Sequence, residues 1–92
     1  QSYQLLILGI VAYFNNTHHN RSNRESGTGR YDISLEPKNK ARKGIIMELK
    51  VGKEGEDLKE IAQATLDQIK NKKYTTEMKA RGVQDFVFLP KF

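Results

Sequence analysis

The chain has no cysteine, no tryptophan and only two prolines. Without cysteine, a disulfide framework and a thiolate zinc site are both excluded. Histidine is scarce too: His18 and His19 are adjacent, a poor spacing for sharing a metal on a helix or a strand, and both read as loop residues. Any bound metal must therefore lean on carboxylates, which favours hard ions such as Mg2+ or Mn2+ over zinc. Long apolar runs are missing as well. The longest, Leu5 to Phe14, falls short of the roughly 20 residues that a bilayer span requires. No basic segment precedes it and no small-residue cleavage site follows, which argues against a secretory signal. The expectation is a cytoplasmic chain with no membrane partner, in which the Asn-x-Ser/Thr sequons at Asn15 and Asn20 arise by chance.

What is present is charge. Of the 92 residues, 29% are charged and 37% hydrophobic, a balance that is globular rather than disordered. A chain of this length makes one domain, 1–92, with a thin core. Its net charge of +5 suits a polyanionic partner. The first residue is Gln1, so the sequence reads as part of a longer protein.

The hydropathy pattern predicts the order helix, strand, strand, helix, strand, an α/β or mixed α+β unit. Tyr3 to Phe14 is apolar almost all round, as in a helix that is buried or has a further partner. Asn15 to Arg30 is polar and rich in Asn, Arg, Ser and Gly, and reads as an extended or irregular connection. From Tyr31 to Leu35 the residues alternate, with Tyr31, Ile33 and Leu35 on one face and Asp32 and Ser34 on the other. Pro37 ends that strand. A basic connector, Lys38 to Lys43, leads through Gly44 into a second strand, Ile45 to Val51. There Ile45, Met47, Leu49 and Val51 face one way, and Ile46, Glu48 and Lys50 the other. Asp57 and Glu60 form a capping-box pattern before a helix reaching about Tyr74. Its apolar stripe runs through Leu58, Ile61, Ala62, Thr65, Leu66 and Ile69. A short helical turn over Thr76–Ala80 and a third strand, Val83 to Leu89, follow.

A Glu and a Lys on a strand otherwise so apolar call for explanation, because lone buried charges are costly. If the two strands pair as a hairpin, Asp32, Glu48 and Lys50 converge at one sheet edge. Two neighbouring carboxylates oppose each other's ionisation, and a divalent cation removes that conflict. Such an ion polarises phosphoryl oxygens and lowers the pKa of a bound water, which is what phosphodiester hydrolysis requires. Lys50 can orient that water and offset transition-state charge. The bland alternative is an exposed strand face carrying an ordinary Glu–Lys pair.

Three stretches decide between these readings. They are Ser22-Asn23-Arg24-Glu25-Ser26-Gly27-Thr28-Gly29-Arg30-Tyr31-Asp32-Ile33, Ile45-Ile46-Met47-Glu48-Leu49-Lys50-Val51 and Ala64-Thr65-Leu66-Asp67-Gln68-Ile69. In this order they resemble the PD-(D/E)XK nuclease superfamily, and more narrowly its branch that follows an AAA-ATPase-like domain in many bacterial proteins. The resemblance runs from about Leu5 to Gly82. It implies a restriction-endonuclease-like core and a metal-dependent nuclease acting on DNA. Asp32 takes the first acidic position, with Tyr31 in place of the motif's proline, and Glu48 and Lys50 take the Glu-x-Lys positions. The backbone carbonyl of Leu49 joins Asp32 and Glu48 as an implied metal ligand. Gln68 matches a helical glutamine that steadies the site or contacts substrate; Tyr74 stands at a wider spacing from it than that motif usually has.

Glu25 reads either as a third acid near the metal or as an ion-pair partner of Arg30. Gly27 and Gly29 suit backbone conformations closed to other residues. Arg21, Arg24, Arg30, Lys38, Lys40, Arg42 and Lys43 are candidates for phosphate contacts. The family continues with another strand beyond the one at Val83, so the sequence points to a core lacking its last strand, with Phe86, Phe88 and Phe92 exposed at an edge. A homodimer, an element swap or a partner segment would cover them, and an ATPase-like domain is expected to precede this one in the full-length protein. Two rival readings stay open: an inactive nuclease-fold module that binds nucleic acid or protein, and a structural oligomerisation piece.

Overall fold

The computed structural model describes residues 2–25, 30–50 and 57–89, with only the backbone at 2, 3, 23–25, 30, 50, 57–61 and 63. Helix α1 (Ser2–Phe14) leads into short strands β1 (His18–Asn20) and β2 (Asn23–Glu25), then β3 (Arg30–Pro37) and β4 (Gly44–Lys50). Helix α2 (Asp57–Ala80) and strand β5 (Phe86–Phe88) complete the order. The fold is a mixed α/β sheet of the restriction-endonuclease-like kind, as the sequence predicted. No helix among the described residues is long and apolar enough to cross a membrane.

β3 and β4 form the predicted antiparallel hairpin, and β5 joins β4 in parallel after the α2 crossover. The connector closes on Asn39, whose side-chain Oδ1 accepts from Ala41 N at 3.0 Å while its carbonyl accepts from Arg42 N at 2.9 Å. This is an Asx turn, in which the side chain takes the place of a backbone partner.

Of the two readings of the polar stretch, extended or irregular, the extended one holds over 18–25, which supplies an edge to β3. His18 pairs with Pro37 and Asn20 with Leu35, and beyond the break Asn23 pairs with Asp32. The register is the same on both sides, so no residue is inserted at Arg21 and Ser22. There the ladder is carried by Arg21 N donating to Ser34 O (2.7 Å) and by Ser34 N donating to Ser22 Oγ (3.1 Å). An edge strand needs backbone pairing but no apolar alternation, which is why hydropathy missed it. His18 is likewise buried, not a loop residue. Its Nε2 donates to Lys43 O at 2.9 Å, Nδ1 lies 2.7 Å from Thr17 Oγ1, and Phe14 meets the ring edge-on.

Period-two alternation gives the sheet two unlike faces. Ile33, Leu35 and Met47 form a core cluster on one, against which Ile7, Ile10, Phe14 and Ile45 pack. α1 thus covers the apolar face with one side, leaving Leu5, Leu6, Leu8 and Tyr13 exposed. The other face carries Asp32, Ser34, Glu36 and Glu48, and α2 lies over it.

α2 corrects the sequence reading twice. It is one helix through Thr75 and Thr76 to Ala80, because Thr75 Oγ1 bonds the Lys72 carbonyl (3.0 Å) without leaving the helix. Its apolar stripe also does not face the sheet: Ala62, Thr65 and Leu66 are exposed, and Ile69 is 60% exposed. Asp67, Lys70, Asn71, Tyr74 and Met78 turn inward instead, because the sheet beneath is acidic and polar. The side chains of Leu58, Ile61 and the Asp57–Glu60 capping pair lie outside the described residues.

The helix ends in a Schellman motif. Gly82 adopts φ +98°, Gly82 N donates to Lys79 O and Val83 N to Met78 O, both at 3.0 Å. Buried Val83 and Met78 supply its apolar contact. The last strand is shorter than the predicted Val83–Leu89, because Val83 belongs to this cap. Leu89 N still bonds Ile46 O at 2.9 Å, and Phe88 is exposed while Phe86 is half-buried. Phe92 lies outside the described residues.

Met78 and Phe86 close over Gly44, where an added Cβ would meet Met78 Sδ and Phe86 Cδ1, each at 2.9 Å. Gly44→Ala is expected to cost about 1–3 kcal/mol through overpacking. A denaturant melt showing parental stability would contradict this packing.

Candidate active site

Two strands set the central geometry. Asp32 of β3 and Glu48 of β4 are direct register partners, so both acids lie on the face covered by α2. Asp32 is flanked on both sides, by Asn23 of β2 and Glu48 of β4, whereas the described pairing of β5 with β4 covers only Gly44–Ile46 and stops short of Glu48. Like charges directly opposite each other are unfavourable on a strand pair. The arrangement therefore asks for positive charge.

α2 supplies some. Lys70 Nζ stands 3.5 Å from Asp32 Oδ2, and Tyr74 donates a long hydrogen bond, also 3.5 Å, to the same oxygen. Asp32 is only 6% exposed and the Lys70 side chain 25%. Burial pushes the Lys70 ammonium below the usual lysine range. Burial first, then the Asp32 charge and hydrogen bond and the charge of Glu77, push the Tyr74 phenol up to about 12. Tyr74 is consequently a fixed donor at neutral pH. Beside Glu48, a hollow of about 210 Å3 is lined by Asp67 and Asn71 of α2 and by Ile46 and Phe88.

The remaining predicted residues divide clearly. Lys50 closes β4 opposite Arg30, two residues beyond Glu48. The side chains of Lys50, Arg30, Arg24 and Glu25 lie outside the described residues, as do Gly27 and Gly29 altogether. Gln68 is exposed, whereas its neighbours Asp67 and Lys70 turn toward the sheet. Lys38, Arg42 and Lys43 are exposed on the β3–β4 connector. They follow Pro37, which is five strand residues beyond Asp32, or roughly 17 Å. That connector is not brought to the acids.

Arg21 and Lys40 instead meet at Glu36, a carboxylate absent from the sequence reading. Glu36 is 1% exposed, and Arg81 binds its Oε1 through Nε at 2.7 Å and Nη2 at 2.6 Å. Lys40 Nζ binds Oε2 at 3.0 Å, and Arg21 Nε stands 3.6 Å from Oε1. Burial alone would raise the Glu36 carboxyl. The hydrogen bonds and charges of Arg81 and Lys40 outweigh it and hold the group at about 2. The same bond raises the Arg81 guanidinium further.

Lys70, Asn71 and Asp67 also escaped the sequence reading. Their sign was present: Asp67, Lys70, Asn71 and Tyr74 share one helical face by i, i+3, i+4, i+7 spacing. A polar helix face matched to a polar strand face is legible only once the layers are known.

Among the described residues no three His, Asp or Glu side chains converge to hold an ion. Asp32 and Glu48 nonetheless fit a hard dication, since magnesium is commonly held by one or two carboxylates with water and substrate oxygens. A family model described as the PD-(D/E)XK nuclease superfamily matches residues 1–89. Comparison with curated proteins and with solved structures finds no significant match. With nearly the whole chain matched, and with Asp32 and Glu48 paired across the central hairpin, this chain belongs to the PD-(D/E)XK nuclease superfamily.

Proposed function

We propose that the chain hydrolyses phosphodiester bonds in DNA, using Mg2+ or Mn2+ held by Asp32, Glu48 and the Leu49 carbonyl. The observation that carries this reading is the direct pairing of Asp32 with Glu48 on the face beneath α2. A divalent ion, when bound, supplies Lewis acidity and a water of lowered pKa. The chain's own part is to bind and orient. Asp32 is steered by Tyr74, whose phenol keeps its proton and donates to Oδ2. Glu48 provides the second anionic oxygen donor. Lys50, next but one along β4, is assigned to orient the attacking water and offset charge as the leaving oxygen departs. Gln68 is assigned to substrate rather than to the acids, because it is exposed on α2. The resemblance at Ser22–Ile33 and Ala64–Ile69 supports a wider setting, a cytoplasmic bacterial protein in which an AAA-ATPase-like domain precedes this one.

The direct test is incubation with supercoiled and branched DNA and either ion. Cleavage that requires the ion and is lost in Glu48→Ala and Lys50→Ala supports the reading; no cleavage under any condition defeats it.

One observation favours a second reading, a non-catalytic nucleic-acid-binding module. Lys70 already places a positive charge on Asp32, the charge a metal would otherwise bring. If Lys70 merely competes, Lys70→Met should tighten Mn2+ binding about tenfold, roughly 1.4 kcal/mol, by calorimetric titration. Unchanged or weaker binding, together with salt-sensitive DNA binding that needs no metal, would favour the binding module.

A further inference from the structure

On the same sheet face, one step beyond Asp32, lies a cleft of about 340 Å3 bounded by Arg21, Ser22, Ser34, Tyr74, Glu77 and Arg81. We infer that this cleft is a phosphate-binding subsite that holds a backbone phosphate of the polynucleotide strand next to the one cleaved at Asp32 and Glu48. The inference rests on the nuclease reading for its choice of ligand, though not for its chemistry.

Three observations converge on an oxyanion. Ser34 is fully buried, and its Oγ has no hydrogen-bond partner among the described residues. A buried hydroxyl left unsatisfied costs roughly 1–3 kcal/mol, so such a group calls for a ligand or another explanation. Two guanidiniums stand at the cleft, Arg21 and Arg81, with side chains about half exposed. Each carries five N–H donors in a planar fork suited to phosphate oxygens. Finally, both are already held from behind by the buried Glu36. A guanidinium fixed before its ligand arrives loses less side-chain freedom on binding.

The local charge allows an anion. Arg21, Arg81 and Lys40 oppose Glu36 and the exposed Glu77 at the rim, leaving one net positive charge. The location selects which anion. Ser34 is the next same-face residue after Asp32, roughly 6.8 Å along β3. Tyr74 both lines the cleft and reaches Asp32. A strand threaded over Asp32 would therefore lay an adjacent phosphate at Ser34.

The test begins with inorganic phosphate alone, titrated into isotopically labelled protein and followed by NMR at arginine Nε–H and backbone amide signals. Saturable shifts confined to Arg21, Arg81, Ser22 and Ser34 are expected. Unsaturating shifts spread equally over Lys38 and Arg42 would mean an adventitious ion only and overturn the subsite. Labelled duplex DNA in EDTA then tests the strand. Arg21→Gln should weaken binding about tenfold and reduce the slope of log affinity against log salt by about 0.9. Ser34→Ala should weaken it about threefold without changing that slope. Arg21 is chosen over Arg81 because it is the more distant partner of Glu36. Parental affinity and slope in both variants would overturn the proposal. Phosphate shifts at the four residues with no cleavage in either metal would support the cleft while removing the nuclease reading. Cleavage without those shifts would do the reverse.

Discussion

Glu48→Ala is expected to slow metal-dependent DNA cleavage by about a thousandfold or more, with little loss of fold. Glu48 faces Asp32 directly across the β3–β4 ladder, so truncating it removes a charge from an unfavourable like-charge pair. Stability should hold or rise slightly. Activity should collapse, because one carboxylate cannot replace two in fixing a hard dication. Single-turnover cleavage of plasmid with Mn2+ measures the first quantity and a circular-dichroism melt the second. Lys50→Ala should lose a comparable factor in rate while leaving Mn2+ affinity near the parental value, since a lysine is not a ligand. A Glu48→Ala protein that cleaves at the parental rate would dissociate the acid pair from catalysis. One that fails to fold would show that the pair is structural.

Arg81→Ala is expected to destabilise the fold by about 3 kcal/mol at neutral pH, a loss on the order of 15 °C in melting temperature. Removing Arg81 leaves a carboxylate that is 1% exposed with only Lys40 and Arg21 to balance it. Glu36→Gln should cost less, because the three cations left behind keep contact with water and can be solvated. The double variant should recover part of the Arg81→Ala loss, a coupling that a double-mutant cycle reads directly. Acid provides an independent check. Glu36 is held at about 2 against an ordinary 4.5, so its stabilisation is complete above about 4.5 and fades as the pH falls toward 2. That window carries on the order of 2 kcal/mol once the half-exposed partners are discounted. Parental and Arg81→Ala proteins should thus converge in stability as the pH is lowered through it. Parallel curves would exclude Glu36 as the source.

How much of this was legible in sequence follows from what hydropathy can and cannot encode. Tyr31–Leu35 and Ile45–Leu49 alternate because each strand has one apolar face against α1, and alternation reads out that burial directly. The same alternation places Asp32, Glu48 and Lys50 on the opposite side, so the central pair is legible in the sequence. β1 and β2 were invisible because an edge strand is held by backbone hydrogen bonds, and Asn20, Asn23 and Arg24 carry no periodicity to reveal it. The orientation of α2 failed for the converse reason. Its apolar residues Leu66 and Ile69 suggested an inward stripe, yet the surface awaiting the helix is acidic, and Lys70 and Tyr74 won the inward positions. Glu36 drew no reading from sequence, because its partners Arg21, Lys40 and Arg81 come from three separate segments. Contacts separated by up to 45 residues leave no local trace.

The uniform β3–β4 register carries a consequence for length variation. Within residues 31–36 or 45–49, a single insertion or deletion would exchange the two faces downstream of it, sending an acid among Ile33, Leu35 and Met47 and an aliphatic chain into the acidic layer. The alternative is a bulge, which absorbs one extra residue only by disrupting the ladder locally. The exposed connector over 38–43 imposes no such parity and can change length where Lys40 and the Lys43 carbonyl keep their contacts with Glu36 and His18. Size polymorphism in related chains should accordingly gather at that hairpin tip and avoid the two strands it joins.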